Sequence, residues 1–156
     1  MKLYDYDSLR PVSISLLKQL SGVTIIPKTD AKEVITLVTS GEFETFDQIQ
    51  VDSDTSDDLL DVYSREHYHI FEQNFYVLEG SAIFDILTSS GQWVRIELER
   101  HDFMYIPAGV KHRFMSPQKH LKAMYLVPEG ATICMELVKE EETICLPLAG
   151  RELLVA

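Results

Sequence analysis

The sequence predicts an all-β-dominated fold, a barrel or sandwich of short antiparallel strands with a few helices at the N-terminal end. Two observations carry this. From residue 66 onward, runs rich in Val, Ile, Phe and Tyr alternate with turn residues at a spacing of roughly 8–12. No helical period fits between those runs, which disfavours a parallel sheet with crossover helices. A length of 156 residues suits one core, so residues 1–156 read as a single domain. Within it, residues 1–61 hold helices and strands, 62–130 the β-rich centre, and 131–156 further strands.

Taken in order, residues 11–21 place Ile14, Leu17 and Leu20 on one helical stripe, with Gly22 as the stop. Residues 23–28 read as a short strand ended by Pro27. Residues 30–40 fit a helix capped by Asp30, although Val34, Ile35 and Thr36 also suit a strand. Gly41 breaks that element, and residues 42–51 offer another short strand. The acidic run of residues 52–61 superficially resembles a calcium loop. Asp57 stands where such a loop needs Gly, and Tyr63 where it needs Glu. The run therefore reads as a helix capped by Ser56 or Asp57, with acids in its first turn.

The β-rich part follows as residues 67–80, 81–91, 92–102, 103–109, 110–116 and 120–130, punctuated by Gly80, Ser89-Ser90-Gly91, His101-Asp102, Pro107 to Gly109, and Pro117. Trp93, Phe84, Met104 and Met124 are expected to fill the core. His101 and His120 read as surface residues in polar turns. Glu79, Asp85 and Glu97 would matter chemically only if strand parity turned them inward. No internal repeat, phosphate loop or Ser-His-Asp order is present.

The formal net charge of −11 opposes binding to nucleic acid or to an anionic membrane surface. The N-terminal residues carry acids and no apolar run, so neither a signal peptide nor a membrane span is expected. Cys134 and Cys145 lack metal or redox spacing and read as buried, reduced thiols of a cytoplasmic protein. Exposed barrel edges leave room for a homodimer, and the sequence does not fix the oligomeric state.

The chemistry concentrates in His67-Tyr68-His69. On a strand both imidazoles point to one face and make half of a metal site. If no bulge intervenes, Phe71, Gln73 and Phe75 share that face, Glu72 points away, and Gly80 ends the strand. After the Pro107 to Gly109 turn comes His112, whose parity Phe114 shares.

His-x-His, a polar residue four positions on, Gly seven beyond that, then Pro-x-Gly followed by His together resemble the two motifs of the cupins. That resemblance implies a jelly-roll β-barrel with one divalent metal in its mouth, Fe(II) first, with Ni, Mn or Zn as alternatives. Its ligands would be His67, His69, His112 and, at the fourth position, Gln73. Within the cupins, residues 66–69, 75–86, 92–114 and 122–127 are similar to the acireductone dioxygenases of methionine salvage. The family implies a metal-dependent enzyme that splits a small chelating enediol with O2, giving formate and a keto acid when the metal is iron.

The sequence departs from the family pattern where it matters. Gln73 stands at the Glu ligand, Phe75 at a substrate-facing Arg, and His101 and Asp61 at the glycines that open the two motifs. An amide oxygen is a weaker, neutral donor. Gln73 would therefore be a weak fourth ligand, or stand aside and leave three histidines with waters, or be replaced by Glu72 through a bulge. Phe75 cannot clamp an anion as Arg does, and with Phe71 and Phe114 it makes the substrate pocket apolar. Isomerase, lyase or cyclase chemistry and a non-catalytic binding barrel are the competing readings.

Overall fold

The computed structural model describes residues 1–39, 45–128 and 133–146, which form eleven strands and three helices. The N-terminal elements are β1 (Lys2–Asp5), α1 (Ile14–Ser21), β2 (Thr24–Ile26), α2 (Ala31–Thr39), β3 (Thr45–Val51) and α3 (Asp57–Tyr63). The barrel continues with β4 (His67–Tyr68), β5 (Gln73–Leu87), β6 (Trp93–Glu99), β7 (Phe103–Ile106), β8 (His112–Met115), β9 (Leu121–Val127), β10 (Ile133–Leu137) and β11 (Glu142–Leu146). No described helix is long and apolar enough to cross a membrane.

The helices start and stop where side-chain chemistry dictates. The Ser13 hydroxyl accepts from the Leu16 amide at the start of α1. Gly22 ends that helix at φ 78°, a left-handed conformation, and donates its N–H to the Lys18 carbonyl. Asp30 accepts from the Glu33 amide ahead of α2, and Ser56 caps α3. The helical reading therefore holds over Ala31–Thr39, while Ser40 and Gly41 lie outside the described residues.

All strand pairs are antiparallel, and they form two sheets that share β5. One runs β1-β6-β5-β8-β4-β10-β11. The other has β7 and β9 flanking β5, with β2 and β3 outside them. Residues 73–80 of β5 belong to the second sheet and residues 81–87 to the first. The change of sheet occurs at a bulge between Val77 and Glu79 followed by Gly80 at φ 77°. Gly80 thus bends the strand and does not end it. A β-carbon there would overlap the His120 carbonyl, which accepts from the Ser81 amide at 3.2 Å.

The main core lies between the sheets. Ala82, Phe84 and Ile86 of β5, Val94, Ile96 and Leu98 of β6, Ala123, Tyr125 and Val127 of β9, and Met104, Ile106 and Phe114 all face it. A second cluster, Val34, Tyr76, Phe103, Met124 and Leu126, packs α2 onto the opposite face of β5, β7 and β9. Met124 belongs there because strand alternation sends it away from Ala123 and Tyr125.

Trp93, in contrast, is not a core residue. It is half-buried on the outer face of β6, where the Arg113 guanidinium lies 4.1 Å from its ring. On that same face Asp85 is fully buried, gripped by Arg95 (2.8 and 2.9 Å) and Arg113 (2.8 Å). The Tyr6 ring covers both guanidiniums. This bidentate pairing clamps β6 and β8 to β5 from outside. Asp85 is thereby structural, while Glu79 is exposed and Glu97 half-buried on the outer row.

Candidate metal centre

The His-x-His element is shorter than a continuous strand over residues 67–75. β4 holds only His67 and Tyr68, and residues 69–72 are irregular before β5 begins at Gln73. Beyond this break β5 is buried on both faces, with Phe75 and Val77 in the main core and Tyr76 in the cluster under α2, while His67 and His69 are buried, Phe71 is half-buried and Ile70 is exposed. His112 opens β8 directly opposite His67. The Pro107 to Gly109 turn is tied in by the Gly109 N–H, which donates to the His69 carbonyl at 2.8 Å.

These registers bring three imidazoles together. Ring centroids are 4.4 Å apart for His67 and His112, and 5.3 Å for each other pair. Each ring commits one nitrogen to a backbone carbonyl: His67 Nδ1 to Arg65 (2.7 Å), His69 Nδ1 to Cys134 (2.7 Å) and His112 Nδ1 to Val110 (2.8 Å). A carbonyl only accepts, so each Nδ1 carries the proton and each Nε2 keeps its lone pair. Orientation of a ligating imidazole through its other nitrogen is the arrangement a metal site requires.

One potential ligand atom from each ring lies within 4.8 Å of the others. Points that close lie within about 2.8 Å of a common centre, so sub-ångström ring shifts reach the 2.0–2.1 Å of a metal–imidazole bond. The exposures of His67, His69 and His112 are 1%, 4% and 2%. Burial pushes all three imidazoles toward the neutral form, His69 down to about 4. Proximity to His67 lowers both His69 and His112 further. Three neutral nitrogen donors converging in a buried site fit a divalent transition metal.

Gln73 approaches from the other sheet. Its Oε1 accepts from the Tyr125 hydroxyl at 2.5 Å, and its Nε2 lies 3.4 Å from His112 Nε2. Glu72 does not rotate inward, because it accepts from the Tyr105 hydroxyl at 2.5 Å. Burial, and after it that bond to Glu72, push the Tyr105 phenol up to about 12.

The aromatic residues divide. Phe71 stacks on His69 at 5.1 Å. Phe75 and Phe114 pack with Phe84 behind the imidazoles, with Phe75–Phe84 at 5.1 Å and Phe84–Phe114 at 5.2 Å. Tyr63 closes this wall edge-on to both Phe114 and His67. His101 and His120 are exposed and remote from the centre, as expected; His101 stacks on Tyr76 instead.

Sequence reasoning missed Tyr125 and Tyr63. Alternation along Leu121, Ala123, Tyr125 and Val127 would have marked Tyr125 as the polar-tipped member of an inward row. It also missed the Cys134 carbonyl, for which a sequence carries no signal. The two cysteines were expected to be reduced thiols; they face each other across β10 and β11 and form a disulfide. An open groove of about 480 Å³ is lined by Tyr68, Lys111, Glu136 and Glu142 among others. None of the three histidines lines it.

Comparison with known proteins agrees with this geometry. Residues 18–130 match the model of the ARD/ARD' family. An acireductone dioxygenase from Heterostelium pallidum is 31% identical over 121 residues, covering 73% of this chain and 81% of that protein. One from Sclerotinia sclerotiorum is 33% identical over 118 residues, covering 73% of this chain and 66% of the relative. The solved structure of an acireductone dioxygenase from Bacillus anthracis, with a cadmium ion in its active centre, superposes with a TM-score of 0.69. It is 18% identical and covers 81% of this chain and 91% of that one, which establishes the shared cupin-type β-fold. With a buried three-histidine cluster on that fold and a family match over most of its length, the chain belongs to the ARD/ARD' family.

Proposed function

We propose that this protein is a metal-dependent dioxygenase of the acireductone type, acting on a small chelating enediol in methionine salvage. The observation that carries the reading is the convergence of His67, His69 and His112 with their Nδ1 atoms already committed to carbonyls. These three residues would hold the metal, Fe(II) in our reading, through Nε2. A divalent ion bound there supplies Lewis acidity and a partner for O2.

The chain's own residues do the rest. Carbonyl-anchored imidazoles fix the donor directions before the ion arrives. Phe71, Phe75, Phe84, Phe114 and Tyr63 surround the centre with apolar surface, which excludes water and strengthens every electrostatic contact inside. Phe75 stands where the family resemblance implies an Arg, so the substrate is held through its chelating oxygens and by packing, without a guanidinium clamp.

Turnover of acireductone by Fe(II)-loaded protein, followed by formate release with and without O2, tests this. We expect formate only in the presence of O2. Equal substrate loss without O2 would rule out the oxygenase and favour isomerase or lyase chemistry in the same barrel. No turnover in either condition would leave a small-ligand-binding barrel.

A further inference from the structure

Gln73 sits beside the three imidazoles, yet it does not present an oxygen to them. Its Oε1 is held by the buried Tyr125 hydroxyl at 2.5 Å, which leaves the amide Nε2 facing His112 Nε2 at 3.4 Å. Gln73 is 5% exposed and Tyr125 also 5%, so water does not compete for these bonds. The opposite amide orientation would point Oε1 at the centre and an N–H at Tyr125. The hydroxyl would accept that N–H, but its own proton would lose its acceptor, since Gln73 is the only hydrogen-bond partner of Tyr125 among the described residues. A buried donor without a partner is disfavoured. Tyr125 therefore biases the amide toward the donor-inward orientation.

The charge balance points the same way. His67, His69 and His112 are neutral donors, and among the described residues no Asp or Glu joins their cluster. An ion bound by three imidazoles keeps its full charge in an apolar, buried setting, which is unfavourable unless an anion accompanies it. Once His112 Nε2 binds the ion, the Gln73 N–H is free to donate to such an anion.

Resting on the metal reading above, we propose that Tyr125 is a positioning residue that turns Gln73 into a hydrogen-bond donor to an anion on the ion. Gln73 is then no fourth ligand, and ion and anion bind as a coupled pair.

The probes are Co(II) and azide, with the full-length chain and affinity measured by competition with a chromophoric chelator. In the wild type, saturating azide should raise Co(II) affinity by about tenfold or more, with a new azide-dependent absorption band. In Gln73→Leu, which keeps the packing and removes the donor, that gain should fall below about threefold. In Tyr125→Phe the released amide can turn its oxygen inward, so Co(II) should bind more tightly without azide and respond less to it. A wild-type azide gain below about threefold overturns the proposal. So does a Gln73→Leu variant that loses about tenfold or more in Co(II) affinity without azide, because Gln73 would then be a ligand. If Co(II) binds in neither condition, the metal reading itself fails and takes this inference with it. A Gln73→Leu variant that keeps the wild-type azide gain, or a folded Tyr125→Phe variant with wild-type Co(II) affinity and azide response, overturns it as well, and the Gln73→Leu arm still tests the donor role if Tyr125→Phe does not fold.

Discussion

Three carbonyl groups decide what His67, His69 and His112 can do. By accepting from each Nδ1 they leave each Nε2 lone pair directed inward, and burial keeps the rings neutral. The cost appears at low pH. Between about pH 6.5, the ordinary histidine value, and about pH 4, the value in the fold for His69, the unfolded chain binds protons that the folded chain refuses. Stability of the metal-free protein should therefore fall as pH drops through this window, and the His69 contribution should level off below it. Chemical denaturation with a chelator present should show the wild type losing about 2 kcal/mol more than His69→Gln between pH 7 and pH 5. Equal losses would mean that His69 does not resist protonation. His-x-His and the later His112 were readable from sequence because strand alternation is a rigid rule. The role of Gln73 was not, because its amide orientation depends on Tyr125, a partner 52 residues away.

At the next level up, the N-terminal helices follow their caps, and Ser13, Gly22, Asp30 and Ser56 stand at the ends where local chemistry puts them. The long central strand did not follow its punctuation. Gly80 looks like a terminator, yet β5 continues through it by combining a bulge with a left-handed residue, and so changes sheets. A turn and a bend share the same residue type, and only the pairing partners on each side distinguish them. Gly80→Ala should cost about 2 kcal/mol or more, from the positive φ and from overlap with the His120 carbonyl. The expected sign is a lower denaturation midpoint with an unchanged slope; a variant as stable as the wild type would show that the bend tolerates a side chain. Trp93 was misplaced for a related reason, and Met124, though buried as expected, joins the second core cluster and not the one inside the barrel. Both are large and apolar, but one lies under Arg113 outside the barrel and the other under α2.

The molecule as a whole is a device for bringing two sheets together around one point. His67 and His112 come from paired strands of the first sheet, with His69 just beyond, while Gln73 and Tyr125 come from the second. The bend in β5 lets one strand serve both walls, and Asp85 with its two arginines fixes β8 against β5 one residue from His112. The disulfide between Cys134 and Cys145 secures the hairpin whose carbonyl orients His69. All of this positions three nitrogens for a single ion. Elemental analysis of Co(II)-reconstituted protein after gel filtration, wild type beside His112→Gln, tests that arrangement. It should give about one equivalent per chain for the wild type and under about a tenth for the variant. Equal metal content in the two, or none in the wild type, would contradict it.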